Sequence, residues 1–223
     1  FYTPTGWQGQ YSSLGVIETK DIRRLLVDSN VIQGGDFAFL IKSSAQGGAC
    51  GQNCGTHDVT IRNNIVRDTR NGANNARITS AGGVPMTNVL YDNNVFRNIG
   101  ASSQGWTGGA GKAMQVLGAP ANFQIRNWTV EGMANTWLNF SNAPNSPLSG
   151  FSFTNVVARG PTQYRSHISP GQFAQYYSSN VTLGMVYGDC APSQLPITCQ
   201  GSVPAGAGAD IGRINQMTSG VVR

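Results

Sequence analysis

Charge is what this chain has least of. Only 11% of its 223 residues are Asp, Glu, Lys or Arg, against about a quarter in an average globular domain. Lysine is confined to Lys20, Lys42 and Lys112, and histidine to His57 and His167. No run of five basic residues occurs. That excludes a dense phosphate-tracking stripe, and with it a nucleic-acid partner, although the net charge is +5. No apolar run reaches about 18 residues, so no segment reads as a membrane-crossing helix, and no signal-peptide pattern is present. Gly-x-Ser-x-Gly and His-rich metal motifs are missing. The stretch Gly108–Lys112 lacks the Ser or Thr that a phosphate loop requires after its Lys.

Cysteine is scarce but patterned. Cys50 and Cys54 form one close pair and Cys190 and Cys199 another, each in a loop rich in Gly, Pro or Asn. Two local disulfides are the simplest reading, and they imply an oxidising compartment, extracellular or periplasmic. The rival is one zinc site built from all four. The spacings C-x3-C and C-x8-C suit it poorly, so no metal is expected. Three tripeptides, starting at Asn127, Asn139 and Asn180, match the N-glycosylation sequon, but the first two fall in expected strands.

What is abundant is glycine, 29 residues, and asparagine, much of it beside another Asn. Short regular runs of Val, Ile, Leu, Phe and Trp separate this composition from low-complexity disorder. Five segments align: Leu26–Ile32, Thr60–Val66, Leu90–Phe96, Gln124–Val130 and Ser152–Ala158. Taking Ser29, Asn63, Asn93, Asn127 and Asn155 as one column, the intervals are 34, 30, 34 and 28 residues. Periods of this length mean a solenoid or an array. Apolar residues alternate within each segment, as in Val59-x-Ile61 and Phe123-x-Ile125, which is strand period. A second apolar run follows in each interval: Phe37–Ile41, Ala76–Ile78, Ala113–Leu117 and Thr136–Phe140.

The expected fold is therefore all-β, a right-handed parallel β-helix of about five to six coils. Residues 1–160 would form the coils, continuing upstream of residue 1 in the natural protein or met there by an assembly partner. Residues 161–223 would form an irregular C-terminal cap. Val27, Ile61, Tyr91, Ile125 and Phe153 would stack in the core. Asn63, Asn93, Asn127 and Asn155 would form a hydrogen-bonded ladder at a bend. A shorter Asn stack, Asn30, Asn64 and Asn94, would stand beside it. Asp28, Arg62, Asp92 and Arg126 would alternate in sign along an outward column, placing each Asp beside Arg residues on neighbouring coils.

Glu18–Asn30, Val59–Arg67, Gly150–Val157 and the closing Gly208–Gly212 resemble secreted bacterial right-handed parallel β-helix repeat proteins, of the pectate-lyase-like superfold. The resemblance implies a fold and carries a leaning toward carbohydrate; it does not assign an activity.

The ten carboxylates contain no Asp-Asp and no Asp-x-Asp. Asp28 and Asp92 share a column with Arg62 between them, which reads as a structural ladder before it reads as a hydrolase pair. Asp58 and Asp68 are the candidates for calcium, in a chain otherwise expected to carry no cofactor. His57 beside Asp58 is the one candidate general base. Candidate glycan contacts are Trp106 on a Gly/Ser loop, Lys112 that ends it, Trp128 in the corner column, and the strip Arg67, Arg97 and Arg159. The function expected is a non-catalytic extracellular protein that binds, or is built into, a polysaccharide-rich surface. Polysaccharide lyase or glycoside hydrolase, and structural subunit of a fibre or surface assembly, are the alternatives. The cysteine reading has a direct check. Peptide mapping without reduction is expected to show Cys50 joined to Cys54 and Cys190 joined to Cys199; four alkylatable thiols would contradict it.

Overall fold

The computed structural model describes residues 1, 14–44, 55–77, 83–100, 111–141, 149–158, 165–166, 177–179, 182–183 and 206–221. The cysteine pairs, Trp106, Arg159 and His167 lie outside the described residues. Among the described residues fifteen strands and one helix follow in order: β1 Ile17–Lys20, β2 Arg23–Asp28, β3 Val31–Gln33, β4 Phe37–Ser43, β5 His57–Arg62, β6 Ile65–Arg67, β7 Asn71–Arg77, β8 Thr87–Arg97, β9 Lys112–Leu117, β10 Ala121–Glu131, β11 Thr136–Ser141, β12 Ser152–Ala158, β13 Arg165–Ser166, β14 Tyr177–Ser179, β15 Thr182–Leu183 and α1 Ile211–Met217.

They make two sheets. The six-stranded sheet runs β1-β4-β7-β9-β11-β13. The nine-stranded sheet runs β2-β5-β8-β10-β12-β14, with β3 and β6 extending its first rungs and β15 its last. Every pairing is parallel, and equivalent residues of the repeat lie side by side: Val27, Ile61, Tyr91, Ile125 and Phe153 are in register on successive strands.

The expectation of an all-β right-handed parallel β-helix with an irregular cap is corrected by this layout. The architecture is two parallel sheets with one short helix, and parallel pairing continues beyond residue 160, where Phe153 meets Tyr177 and Val157 meets Thr182. Repeat period fixes which residues are neighbours; it does not fix how successive strands divide into sheets. β7 also begins well before the expected Ala76–Ile78. Its polar Asn71, Asn74 and Asn75 hide a strand from a search for apolar alternation.

The bends explain the asparagines. Asn63, Asn93, Asn127, Asn155 and Ser29 all have φ between 48° and 60°, the left-handed region that costs an ordinary L-residue about 1–2 kcal/mol. Asn and Asp tolerate it because a short polar side chain bonds locally. Here it bonds along the stack. Asn93 Nδ2 donates to Asn63 Oδ1 and Asn63 Nδ2 to Asp28 Oδ1; Asn155 Nδ2 donates to Asn127 Oδ1 and Asn127 Nδ2 to Asp92 Oδ1, each at 2.8 Å. The chain of amides is thus broken between Asn93 and Asn127. Asn93 Oδ1 instead accepts the backbone N–H of Asp210 at 2.6 Å. Gly208 N–H reaches Asn155 Oδ1 at 3.0 Å and Ala209 N–H reaches Thr129 Oγ1 at 2.9 Å. The C-terminal arm is docked on the Asn column by its backbone.

Asp210 then caps α1, its side chain accepting from Arg213 N–H at 2.9 Å. Ile214 packs with Ala209 over Val31, Ile65 and Val95. Gly208 has φ +74°, and a Cβ there would stand 2.4 Å from Thr129 Oγ1, so this position of the arm needs glycine.

The inner amide stack points into the bend. Asn64 Oδ1 accepts Asn30 N–H at 2.9 Å, and Asn94 Oδ1 accepts Asn64 N–H at 3.0 Å. Trp128 takes the next place, fully buried and edge-on to Phe96 at 5.3 Å. Between the sheets Tyr91, Phe123 and Phe151 stack at 5.8 and 5.4 Å, and the Tyr91 hydroxyl donates to Asn75 Oδ1 at 2.9 Å. The packing is tight at Gly72, where a Cβ would meet Ala113 O at 2.2 Å and the Phe96 ring at 2.7 Å. Gly72→Ala is expected to lower the unfolding free energy by about 1–3 kcal/mol, as overpacking does. Urea denaturation measures it, and an unchanged midpoint would contradict the packing described.

Candidate functional site: the outward face of the nine-stranded sheet

Repetition places three columns on the outward face of β2, β5, β8, β10 and β12. The first is Arg24, Asp58, Asn88 and Asn122, all exposed and all left-handed, with φ between 51° and 58°. The second is Leu26, Thr60, Leu90, Gln124 and Ser152; the third is Asp28, Arg62, Asp92, Arg126 and Thr154. Successive rungs are spaced about 4.8 Å apart.

Side chains of the first and third columns are bonded to one another, and Gln124 of the second joins the first. Asn122 Nδ2 donates to Asn88 Oδ1 and Asn88 Nδ2 to Asp58 Oδ1, both at 2.8 Å; Gln124 Nε2 donates to Asn122 Oδ1 at 3.0 Å. Asp58 Oδ2 lies 2.7 Å from His57 Nδ1. The hydrogen bonds from Asn88 and His57 hold the Asp58 carboxyl below its ordinary value. In the third column Arg62 Nη2 is 2.7 Å from Asp28 Oδ2, and Arg126 Nη2 is 3.3 Å from Asp92 Oδ2. The Asp–Arg column expected from the sequence is there, organised as two pairs. Each Asp takes its Arg from the following rung and an Asn from the same rung as that Arg.

The other expected contacts are not brought together. Arg67, Arg97 and Glu131 do share a column with Gln33, but it is buried. Arg97 has 0% exposure and forms an ion pair with Glu131 at 2.5 Å. Arg67, 7% exposed, donates to Gln33 Oε1 at 2.9 and 3.2 Å. Trp128 is buried in the core at 0% exposure. The expectation that Arg67, Arg97 and Trp128 present themselves to a glycan is therefore corrected: outward direction on a strand is not exposure, and an indole can replace an inward amide. Lys112 begins β9 in the six-stranded sheet, half-buried, away from these three.

The two calcium candidates also stand apart. Asp58 belongs to the exposed column. Asp68 is buried between Gln33 Nε2 at 3.1 Å and Asn98 Nδ2 at 3.2 Å. Among the described residues no cluster of three or more His, Cys, Asp or Glu could hold a metal ion, and no helix is long and apolar enough to cross a membrane.

Sequence reasoning missed the left-handed columns outside the Asn ladder. One is Arg24, Asp58, Asn88, Asn122 and Gly150; another is Gly34, Asp68, Asn98 and Gly132. Both were readable, since each keeps the 34- and 30-residue intervals of the repeat and is filled largely by Asn, Asp and Gly. No family model, curated protein or solved structure matches the chain, and nothing in those comparisons identifies a pectate-lyase-like protein.

Two carboxyls set opposite pH dependences. Burial pushes Asp28 up, but hydrogen bonds from Asn63, Ser29 and Arg62, with the Arg62 charge, outweigh it and hold the group below 3.8. Its stabilisation is present above that value and is lost as pH falls through the folded midpoint. Burial raises Asp68 above 3.8 despite Asn98, Arg67 and Gln33. The folded state therefore gains stability from Asp68 as pH falls through its raised midpoint. Urea denaturation over about pH 2–6 is expected to show Asp28→Asn flattening the loss below 3.8, and Asp68→Asn altering the slope only above it. Parallel curves for wild type and both variants would contradict these environments.

Proposed function

We propose that the protein is a non-catalytic module of an exported compartment that binds a polysaccharide or cell-surface glycan through the outward face of the nine-stranded sheet, or is built into such a surface. The observation that carries this reading is the fixed polar face. Asn122, Asn88 and Asp58 in one column, and the Asp28–Arg62 and Asp92–Arg126 pairs in another, hold amide, carboxylate and guanidinium groups at rung spacing. An extended chain of hydroxyls meets donors and acceptors that are already ordered, so little side-chain entropy is lost on contact.

The carboxylates support binding over hydrolysis or lyase chemistry. Those in the described residues are engaged in structural bonds: Glu18 with Lys42, Asp21 with Ser44 N–H, Asp36 with Arg70, Glu131 with Arg97, and the rest as above. An acid or base for glycoside chemistry must be placed against a sugar. Among the described residues each carboxylate is placed against this chain's own bends and its basic or amide groups.

Electrophoresis through native gels carrying neutral or acidic polysaccharides tests the proposal. Retardation by at least one glycan is expected. The double variant Thr60→Ala, Gln124→Ala, which alters the middle column without touching the Asp–Arg pairs, is expected to weaken it about threefold or more. Free migration through every glycan, or retardation indifferent to these substitutions, overturns the proposal.

A further inference from the structure

Two of the outward columns carry a period of two rungs. On β2 they hold Leu26 and Asp28, and on β8, two rungs later, Leu90 and Asp92. On β5 the same two places hold Thr60 and Arg62, and on β10 Gln124 and Arg126. Rungs that are apolar and acidic thus alternate with rungs that are polar and basic. The ion pairs keep that period. Arg62 reaches back to Asp28 and Arg126 back to Asp92, so β2 and β5 make one unit and β8 and β10 the next. The column Arg24, Asp58, Asn88 and Asn122 does not share it. Rungs are spaced about 4.8 Å apart, so the unit recurs at about 10 Å along the stacking direction.

These groups reach solvent. Leu26 is 57% exposed, and Leu90, half-buried, stands between Thr60 and Gln124. The Arg62 and Arg126 side chains keep 45% and 41% exposure within their ion pairs. Across Asp28, Arg62, Asp92 and Arg126 the formal charges cancel. A polyanion would gain from each Arg and lose to the Asp beside it. A neutral ligand of hydroxyls uses both, donating to the carboxylate and accepting from the guanidinium.

We infer that the ligand of this face is a neutral, straight β-1,4-linked hexopyranose chain, laid across the strands with one ring per rung. The inference rests on the glycan reading above and names its substrate class. In such a chain each ring is rotated by half a turn from the one before. Each ring advances the chain by close to one rung, and a given ring edge faces the same side at every second residue. The two-residue repeat of the ligand therefore falls on the two-rung repeat of the face. Leu26 and Leu90 lie under the C–H faces of alternate rings and lose apolar surface to water. Thr60 and Gln124 meet hydroxyls of the rings between. Each Asp–Arg pair serves the hydroxyls along one edge of one disaccharide. Chains linked α-1,4 or β-1,3 coil, and lose this straight repeat.

Calorimetric titration of the full chain tests the inference, with cellotetraose as the probe. Cellotetraose spans both units and is expected to bind saturably, about tenfold or more tighter than cellobiose, which spans one. Maltotetraose (α-1,4), laminaritetraose (β-1,3) and the anionic tetragalacturonate are each expected to bind about tenfold or more weakly than cellotetraose. Leu26→Ser is expected to weaken cellotetraose about fivefold, with an unchanged unfolding midpoint because the position is exposed. Amide shift mapping on the wild-type chain gives an independent readout, with shifts confined to β2, β5, β8 and β10. No saturable binding of cellotetraose, equal binding of the other tetrasaccharides, no gain from two rings to four, or shifts elsewhere overturns the inference. If cellotetraose fails while another glycan retards the protein in native gels, this inference falls and the glycan reading stands. Free migration through every glycan overturns both.

Discussion

The structure depends on one repeated bend at a left-handed residue. Thirteen described non-glycine residues have positive φ, and ten of them are Asn or Asp. Such residues are unfavourable singly. They become tolerable when each offers its side chain to the next rung, because an amide-to-amide hydrogen bond contributes about 0.5–1.5 kcal/mol net. Stacking also removes the choice of where to turn: a slip by one residue would turn the inward Ile61 and Tyr91 outward and the charged Arg62 and Asp92 toward the core.

Once the bends coincide, the rest of the molecule follows from register. The inward positions become continuous apolar files: Phe123 and Phe151, one repeat apart, stack ring on ring, and Tyr91 reaches Phe123 diagonally, since its own register partner is Ile125. The outward positions become polar files in which Asp28 and Asp92 each serve an Arg and an Asn of the next rung. The break in the amide relay at Asn93 is used by Asp210, so the C-terminal arm reads the same column that organises the sheet. Fold and candidate binding face are two sides of one periodicity.

That periodicity was legible in the sequence because its intervals can be counted without knowing any angle. The register of Val27, Ile61, Tyr91, Ile125 and Phe153, and the alternating column Asp28, Arg62, Asp92 and Arg126, follow from alignment alone, whereas the division of that column into Asp28–Arg62 and Asp92–Arg126 pairs comes from the structure. The division into two sheets and the helix Ile211–Met217 do not, since neighbour relations are silent on how strands group. Arg97 was misplaced for a different reason. Charge and outward direction argued for solvent, whereas Glu131 in the next rung and the surrounding packing made burial acceptable. Trp128 continues an asparagine column, and only the structure shows that the column points inward there.

The proposed binding reading needs nothing beyond this ordered polar face. It therefore stands on the claim that residues one repeat apart are stacked through their side-chain amides. Nuclear Overhauser spectroscopy of the labelled protein tests that claim most directly. Cross-peaks between the side-chain amide protons of Asn93 and Asn63, and between the backbones of Ile61 and Tyr91, are what the account predicts. Their absence, with Asn63 and Asn93 each seen only by residues close in sequence, would contradict it.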